Sequence, residues 1–266
     1  MELTAFVYAL VLGVVQGITE FLPVSSSAHL IIVSSFYQGK ALPLSLNIAL
    51  HIGTLVAVLV YFKKDWLEIS GDILKSSRDR KRRFSSHVLF PALIIGTIPA
   101  GVIGLLGKDY IEDMFHNPGF VVYPLAVVGI ALWWFDKKSS TERSLKDLGL
   151  KDAILIGFAQ ACALIPGTSR SGATIIGGRL LGFDRETAAR FSFLLGTPAM
   201  VGAAILESKD ILSSLDDPVF YVGIVTSALV GVLSIHLLLE FLKRFGLGAF
   251  AIYRVVLAII LFYLVN

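Results

Sequence analysis

The sequence predicts an all-α membrane protein that crosses the bilayer several times. Hydrophobic residues make up 55% of the 266 residues and charged residues 16%, whereas soluble domains have about 45–50% and about 25%. The apolar residues are gathered in long runs, and a helix needs about 20 of them to cross a bilayer. Six runs approach that length, at 45–62, 88–106, 119–135, 190–206, 218–239 and 247–264.

Two further apolar stretches are interrupted by polar turns and predict re-entrant helical hairpins. The first hairpin covers about 4–33 and is broken at Pro23, and the second covers about 152–182 and is broken at Pro166. Proline ends a helix because it lacks the backbone N–H. Irregular backbone at membrane depth is tolerated only where protein or water satisfies its polar groups, so both turns are expected to lie inside the protein.

The two halves of the chain, 1–150 and 151–266, resemble each other and predict one membrane domain built from an inverted repeat. Each half holds one hairpin and three spans, and an odd number of spans turns the second half upside down. The two polar turns are then expected to face each other. The matching segments are Gly13-x-x-Gln16 with Gly157-x-x-Gln160, Pro23-Val-Ser-Ser26 with Pro166-Gly-Thr-Ser169, and Gly53-Thr54 with Gly196-Thr197.

The placement of basic residues predicts the orientation. Eighteen of them lie in 63–83, 136–151, 179–190 and the turn near 243, whereas the opposite loops carry only Lys40, Lys108 and Lys209. Loops rich in lysine and arginine stay in the cytoplasm. The sequence therefore predicts a multi-pass protein of the plasma membrane, with both termini outside and the first hairpin entering from outside.

Three ionisable residues fall inside apolar segments, namely Glu20, Arg170 and Arg254. Such residues are costly at membrane depth and are functional candidates by default. Glu20 and Arg170 lie in the two hairpins that the repeat brings together, where they form either a structural ion pair or part of a functional site. Arg254 has no polar neighbourhood, and a role in helix packing or at the membrane interface is expected.

The first hairpin gathers polar side chains around its turn. Gln16 and Glu20 are four residues apart and share one face of a helix. Ser25, Ser26 and Ser27 follow Pro23 and exceed what a single helix cap needs. His29 comes directly after them and is expected to belong to the same functional group.

The second hairpin supplies hydroxyl groups and one guanidinium ahead of a helix. Its motif runs from Pro166 to Thr174 and includes Ser169, Arg170 and Ser171. A helix N-terminus binds anions, and the planar fork of arginine fits phosphate oxygens. The residues alone therefore predict a membrane-embedded phosphate site beside a carboxylate, a histidine and serines.

These motifs resemble the bacitracin-resistance type of undecaprenyl-diphosphate phosphatase. That family carries (Glu/Gln)-x-x-x-Glu followed by Pro-x-Ser-Ser-x-x-His, here Gln16 to His29, and Pro-Gly-x-Ser-Arg-Ser-x-x-Thr, here Pro166 to Thr174. The resemblance extends over nearly the whole chain, including Ala-Ile-Tyr-Arg at 251–254. Glutamine at position 16 leaves a single carboxylate in the first motif, which weakens the expectation of a two-carboxylate metal site.

The resemblance implies hydrolysis of undecaprenyl diphosphate to the monophosphate and phosphate at a site open to the outside. Ser26 is the favoured nucleophile, with His29 as nucleophile or direct attack by water as alternatives. Glu20 or His29 would take the proton. Glu20 and Gln16 are candidates to hold a divalent cation, Mg²⁺ or Ca²⁺. The residues expected to bind phosphate are Ser25, Ser27, Ser169, Arg170, Ser171 and Thr174.

The expected partners are a long-chain polyprenyl diphosphate and membrane lipids, with no nucleic acid, and a homodimer is compatible with the sequence. The main rival function is an inverted-repeat transporter or flippase for an anionic lipid or phosphate. A serine, glutamate and histidine cluster exceeds what passive binding needs and favours the enzyme. The single cysteine, Cys162, has apolar neighbours and is expected to be buried.

Overall fold

The computed structural model describes residues 2–36, 42–74, 84–107, 110–111, 114, 118–139 and 143–265. Lys40, Lys108 and the basic run Arg78–Arg83, which support the predicted orientation, lie outside the described residues. The described part of the chain contains α-helices, two 3₁₀ turns and no named β-strand. The α-helices are α1 (Glu2–Thr19), α2 (Ser26–Phe36), α3 (Leu44–Tyr61), α4 (Lys63–Leu74), α5 (Phe84–Leu106), α6 (Val122–Lys138), α7 (Leu150–Cys162), α8 (Arg170–Leu180), α9 (Arg185–Leu206), α10 (Ser208–Ser213), α11 (Pro218–Leu242) and α12 (Gly248–Val265).

Five helices within the described ranges are long and apolar enough to cross a membrane, which confirms a multi-pass membrane protein. They match the first five predicted spans. The sixth predicted span, 247–264, falls on α12, whose apolar stretch Gly248–Leu264 is shorter than the other five. The five spans are Leu44–Tyr61, Val88–Leu106, Gly119–Lys138, Arg185–Leu206 and Pro218–Leu242.

Each predicted hairpin is a helix, a turn and a second helix, and the two turns end in the same way. The residue before α2 is Ser25, with φ of 76°, and the residue before α8 is Ser169, with φ of 73°. The Ser169 hydroxyl accepts a hydrogen bond from Gly172 N at 3.1 Å, and the Ser25 hydroxyl lies 3.5 Å from Ala28 N. A positive φ strains a residue other than glycine, so the surrounding packing holds both turns in place.

The helices pack closely at glycine residues, where no side chain separates the two backbones. A Cβ on Gly13 of α1 would lie 2.6 Å from the Thr226 side chain of α11, and one on Gly157 of α7 would lie 2.3 Å from the Gly96 carbonyl of α5. Close approach of backbones is how helices associate tightly in lipid. Consequently α1 packs on α11 and α7 packs on α5, which fixes the first helix of each hairpin against a span.

Two local predictions differ from the structure. The basic loop that begins at Lys63 starts with α4 instead of irregular chain. Arg179, counted with the exposed loop charges, is fully buried at the end of α8. Its guanidinium donates to Phe183 O at 2.6 Å and pairs with Asp136 at 3.2 Å, and these partners offset the cost of burying its charge.

Candidate functional site

The carboxylate of Glu20 is the centre of the site and joins the two turns. Its Oε2 accepts hydrogen bonds from the Ser26 hydroxyl at 2.8 Å and from the Gln16 side-chain amide at 3.2 Å. Its Oε1 pairs with Arg170 Nη2 at 3.0 Å. The predicted meeting of the two turns is confirmed by this pair, which spans 150 residues of sequence.

Arg170 occupies a narrow slot between the first turn and α9. Its Nη1 donates to the Ser192 carbonyl at 3.0 Å, and its side chain is 15% exposed. A Cβ on Gly196 would lie 2.2 Å from that same Nη1, so only glycine leaves room for the guanidinium. The Nε atom of Arg170 is buried without a partner among the described atoms, and the group therefore has an unused donor for an anion.

His29 is held by both ring nitrogens. Nδ1 lies 2.7 Å from the Ser25 carbonyl, and Nε2 lies 2.6 Å from the Tyr253 hydroxyl. The imidazole and phenol rings are nearly parallel, with 5.7 Å between their centroids. A carbonyl only accepts, so Nδ1 carries the proton and Nε2 of the neutral ring accepts from Tyr253.

The predicted phosphate-binding hydroxyls divide into two groups. Ser27 is half-buried and accepts from Gly167 N at 3.5 Å. Ser171 and Thr174 are fully buried, and the Ser171 hydroxyl donates to the Leu22 carbonyl at 3.1 Å. Ser25 and Ser169 are also buried, and their hydroxyls lie 3.2 Å from the hydroxyls of Ser27 and Ser171, respectively. The Thr174 hydroxyl forms a hydrogen bond with the Ser192 hydroxyl. Most of these groups therefore hold the turns together.

Arg254 has a larger role than the sequence indicates. It is fully buried in α12, and its guanidinium donates to carbonyl groups of both turns. No carboxylate pairs with it among the described residues. The acceptors are Pro23 O, Pro124 O, Leu125 O, Gly167 O and Thr168 O, at 2.9 to 3.3 Å.

Gln16 and Glu20 keep oxygen lone pairs that a divalent cation could use. The Oε1 atom of Gln16 is buried and has no hydrogen-bond partner among the described atoms. The two Glu20 oxygens accept three bonds, and a carboxylate has room for about four. Carboxylate and amide oxygens suit Mg²⁺ and Ca²⁺, and Mg²⁺ is commonly completed by substrate phosphates. The pair therefore fits such a cation, although no cluster of three or more acidic, histidine or cysteine ligands occurs in the described ranges.

The structure brings together every candidate from the two motifs and adds Tyr253 and Arg254, which are neighbours in the segment Ala-Ile-Tyr-Arg. In the sequence, the charge of Arg254 within an apolar run was a signal for this segment, whereas only the family resemblance covers Tyr253. Cys162 differs from its prediction, because it is exposed at the end of α7.

These features describe a polytopic helical membrane protein with a serine, a carboxylate and a guanidinium in contact where two helical turns meet. With two buried or nearly buried arginines and one carboxylate, the turns carry an excess of positive charge that suits an anion.

The chain belongs to the bacitracin resistance protein BacA family, whose model matches residues 9–260. It is 42% identical to an undecaprenyl-diphosphatase of Pelotomaculum thermopropionicum, over 93% of this chain and 92% of the relative. It is 42% identical to one of Idiomarina loihiensis, over 97% and 98%. It is also 43% identical to undecaprenyl-diphosphatase 2 of Stutzerimonas stutzeri, over 95% of each chain.

Proposed function

We infer that this protein is an undecaprenyl-diphosphate phosphatase, which hydrolyses the lipid diphosphate to the monophosphate and phosphate. The family match and the names of the relatives support this activity. The observation that carries it is the chain of contacts from Ser26 through Glu20 to Arg170, in which a hydroxyl, a carboxylate and a guanidinium are in direct contact. A lipid diphosphate and the surrounding membrane lipids are the partners that this activity requires.

Ser26 is the proposed nucleophile and Glu20 its base. The Ser26 hydroxyl already donates to the Glu20 carboxylate at 2.8 Å, and a candidate base must lie within hydrogen-bond reach of its proton. His29 is less suited to either role in this arrangement, because Nδ1 is held by Ser25 O and Nε2 by Tyr253. Attack on the terminal phosphorus then gives a phosphoserine and releases the prenyl monophosphate.

Arg170 would bind the terminal phosphate and the charge that develops on it. Its fork can leave Glu20 for phosphate oxygens while Nη1 keeps the Ser192 carbonyl. Ser27, which is more accessible than its neighbours Ser25 and Ala28, is proposed as a second phosphate contact. The buried hydroxyls of Ser25, Ser169, Ser171 and Thr174 would act by fixing the turns.

As an alternative to its role as base, Glu20 would hold a divalent cation, Mg²⁺ or Ca²⁺, together with the Oε1 atom of Gln16. When bound, it would neutralise part of the diphosphate charge. Calorimetric titration of Mg²⁺ into the wild type and Gln16→Leu tests this directly, and equal binding by both would contradict it.

The proposed architecture is an inverted repeat with two re-entrant hairpins. Its support is the pattern of helix packing, in which α1 lies on α11 as α7 lies on α5, and α3 lies on α11 as α9 lies on α5. The two turns also share their positive-φ serines. By this geometry Ser25 is the equivalent of Ser169 in the second half, and Ser26 is the equivalent of Arg170. The sequence alignment, which matches Pro23 with Pro166, is shifted from this by one residue. We also propose that the site opens to the outside of the plasma membrane.

Phosphate release from a long-chain prenyl diphosphate by purified protein in detergent tests the function. Glu20→Gln and Arg170→Ala should each lose activity by about 10²-fold or more, since each removes a group that acts in the transition state. Glu240→Gln and Arg244→Ala are matched controls, because Glu240 is exposed in the last turn of α11 and Arg244 is exposed in the turn that follows it, and they should stay active. Binding of the substrate without release would instead favour the transporter. The mass of the detergent-solubilised protein tests the homodimer.

A further inference from the structure

The hydrogen bond between His29 and Tyr253 takes no part in the attack of Ser26 on the diphosphate. It joins α2 to α12 across 224 residues of sequence, with 2.6 Å between Nε2 and the hydroxyl oxygen. The rings are inclined by only 7°. Tyr253 is 45% exposed, and its hydrogen bond to His29 lies at an exposed position of the described structure.

The direction of this bond follows from the Ser25 carbonyl. That carbonyl lies 2.7 Å from Nδ1 and can only accept, so the proton of the neutral ring resides on Nδ1. The lone pair on Nε2 is therefore the basic position of His29, and the Tyr253 hydroxyl donates to it. Which ring nitrogen is basic is set by the bond that the other makes.

The proton balance of the proposed reaction requires a second base. This requirement rests on the proposed function. As the Ser26 Oγ–P bond forms and the bond from phosphorus to the prenyl phosphate oxygen breaks, the Ser26 proton passes to Glu20. When water attacks the phosphoserine, its O–P bond forms and the P–Oγ bond breaks. Glu20 then returns its proton to Ser26 Oγ. The proton lost by the water still needs an acceptor.

We propose that Tyr253 is a catalytic residue that relays this proton from the attacking water to His29. The water proton passes to the Tyr253 oxygen while the Tyr253 proton passes to Nε2, so that the tyrosine stays neutral and the histidine becomes cationic. The imidazolium afterwards returns its proton to solvent through the same hydroxyl. Water is the only co-reactant, and the overall reaction balances as hydrolysis.

The position of Tyr253 is fixed by the next residue. Arg254 is anchored to the Pro23 carbonyl of the first turn and the Gly167 and Thr168 carbonyls of the second. This part of α12 is therefore fastened to both turns, and the neighbouring phenol is held at His29. The Tyr253 hydroxyl is therefore held at Nε2 of His29 both by the anchored helix and by the parallel rings.

The test is a rapid-quench experiment with prenyl diphosphate labelled with ³²P on the terminal phosphate, using wild type, Tyr253→Phe and Tyr221→Phe. Tyr221 is a matched control, because it is 47% exposed and its hydroxyl donates to a backbone carbonyl. Tyr253→Phe should release prenyl monophosphate in the first turnover at close to the wild-type rate. Its steady-state turnover should fall by about 10-fold or more, with label retained on Ser26.

Equal slowing of both steps in Tyr253→Phe would overturn the relay and leave the tyrosine a structural role. Unchanged turnover would overturn it as well. Failure of the proposed function looks different, because the wild type would then release no phosphate. Normal turnover by Ser26→Ala would instead refute the phosphoserine step on which the relay depends. The relay alone would be refuted if the wild type turns over, Ser26→Ala is inactive and Tyr253→Phe turns over normally.

Discussion

Gly196 lies where the Arg170 guanidinium meets helix α9, and the absence of a side chain there admits the arginine. A Cβ at this position would lie 2.2 Å from Nη1 and 2.5 Å from Cζ. We expect Gly196→Ala to push the guanidinium away from Ser192 O and Glu20 and to lower kcat/KM by about 10²-fold, as for loss of a transition-state contact. Steady-state phosphate release from prenyl diphosphate measures this.

The control for this change is Gly202→Ala on the same helix, where an added Cβ meets nothing within 4 Å. Alanine in place of glycine favours a helix by about 1 kcal/mol, so neither variant should unfold more easily for lack of helix propensity. Thermal unfolding recorded beside activity separates displacement of Arg170 from loss of the fold. Equal activity of the two variants would show that Arg170 does not need its slot.

Helix α12 is bonded to both turns through Arg254. Arg254→Met would leave buried carbonyls of both turns without a donor, and each unsatisfied group costs about 1–3 kcal/mol. Because removal of a buried charge offsets part of this cost, we expect a net loss of about 2–5 kcal/mol. Turnover should also fall by about 10-fold. Unfolding by denaturant and phosphate release measure the two effects.

Arg244→Met is the matched control for this helix, since Arg244 is exposed in the turn before α12. It loses the same charge and gains the same side chain, but it leaves no buried carbonyl without a partner. A stability of Arg254→Met equal to that of Arg244→Met would mean that the turns hold their geometry without the guanidinium.

The predicted orientation of the protein in the membrane can be tested at the two ends of α11. This helix runs from Pro218 to Leu242 and is long enough to span the membrane. In a Cys162→Ala background, Asp216→Cys should react with an impermeant maleimide in intact cells, because the turn before α11 is predicted to lie outside. Arg244→Cys should react only after permeabilisation. Labelling of both positions from the same side would contradict the spanning of α11, and the reverse pattern would contradict the orientation.

The membrane class, most of the spans and the residues of the two turns could be predicted from the amino-acid sequence alone. The physical reason is local: a run of apolar residues must match the bilayer thickness, and polar or charged side chains within such runs are retained only for a purpose. Glu20, Arg170 and the serines were identifiable on that ground. The family resemblance then indicated the chemistry, which no hydropathy pattern contains.

The separate roles of those residues depend on the three-dimensional packing of the helices. Ser26 donates to Glu20, whereas Ser171 and Thr174 are buried in bonds that hold the second turn. The room for Arg170 at Gly196 and the partner of His29 at Tyr253 depend on contacts between segments far apart in sequence. Such contacts follow from the packing of whole helices and the direction of each side chain, and a single sequence does not encode them in any local pattern.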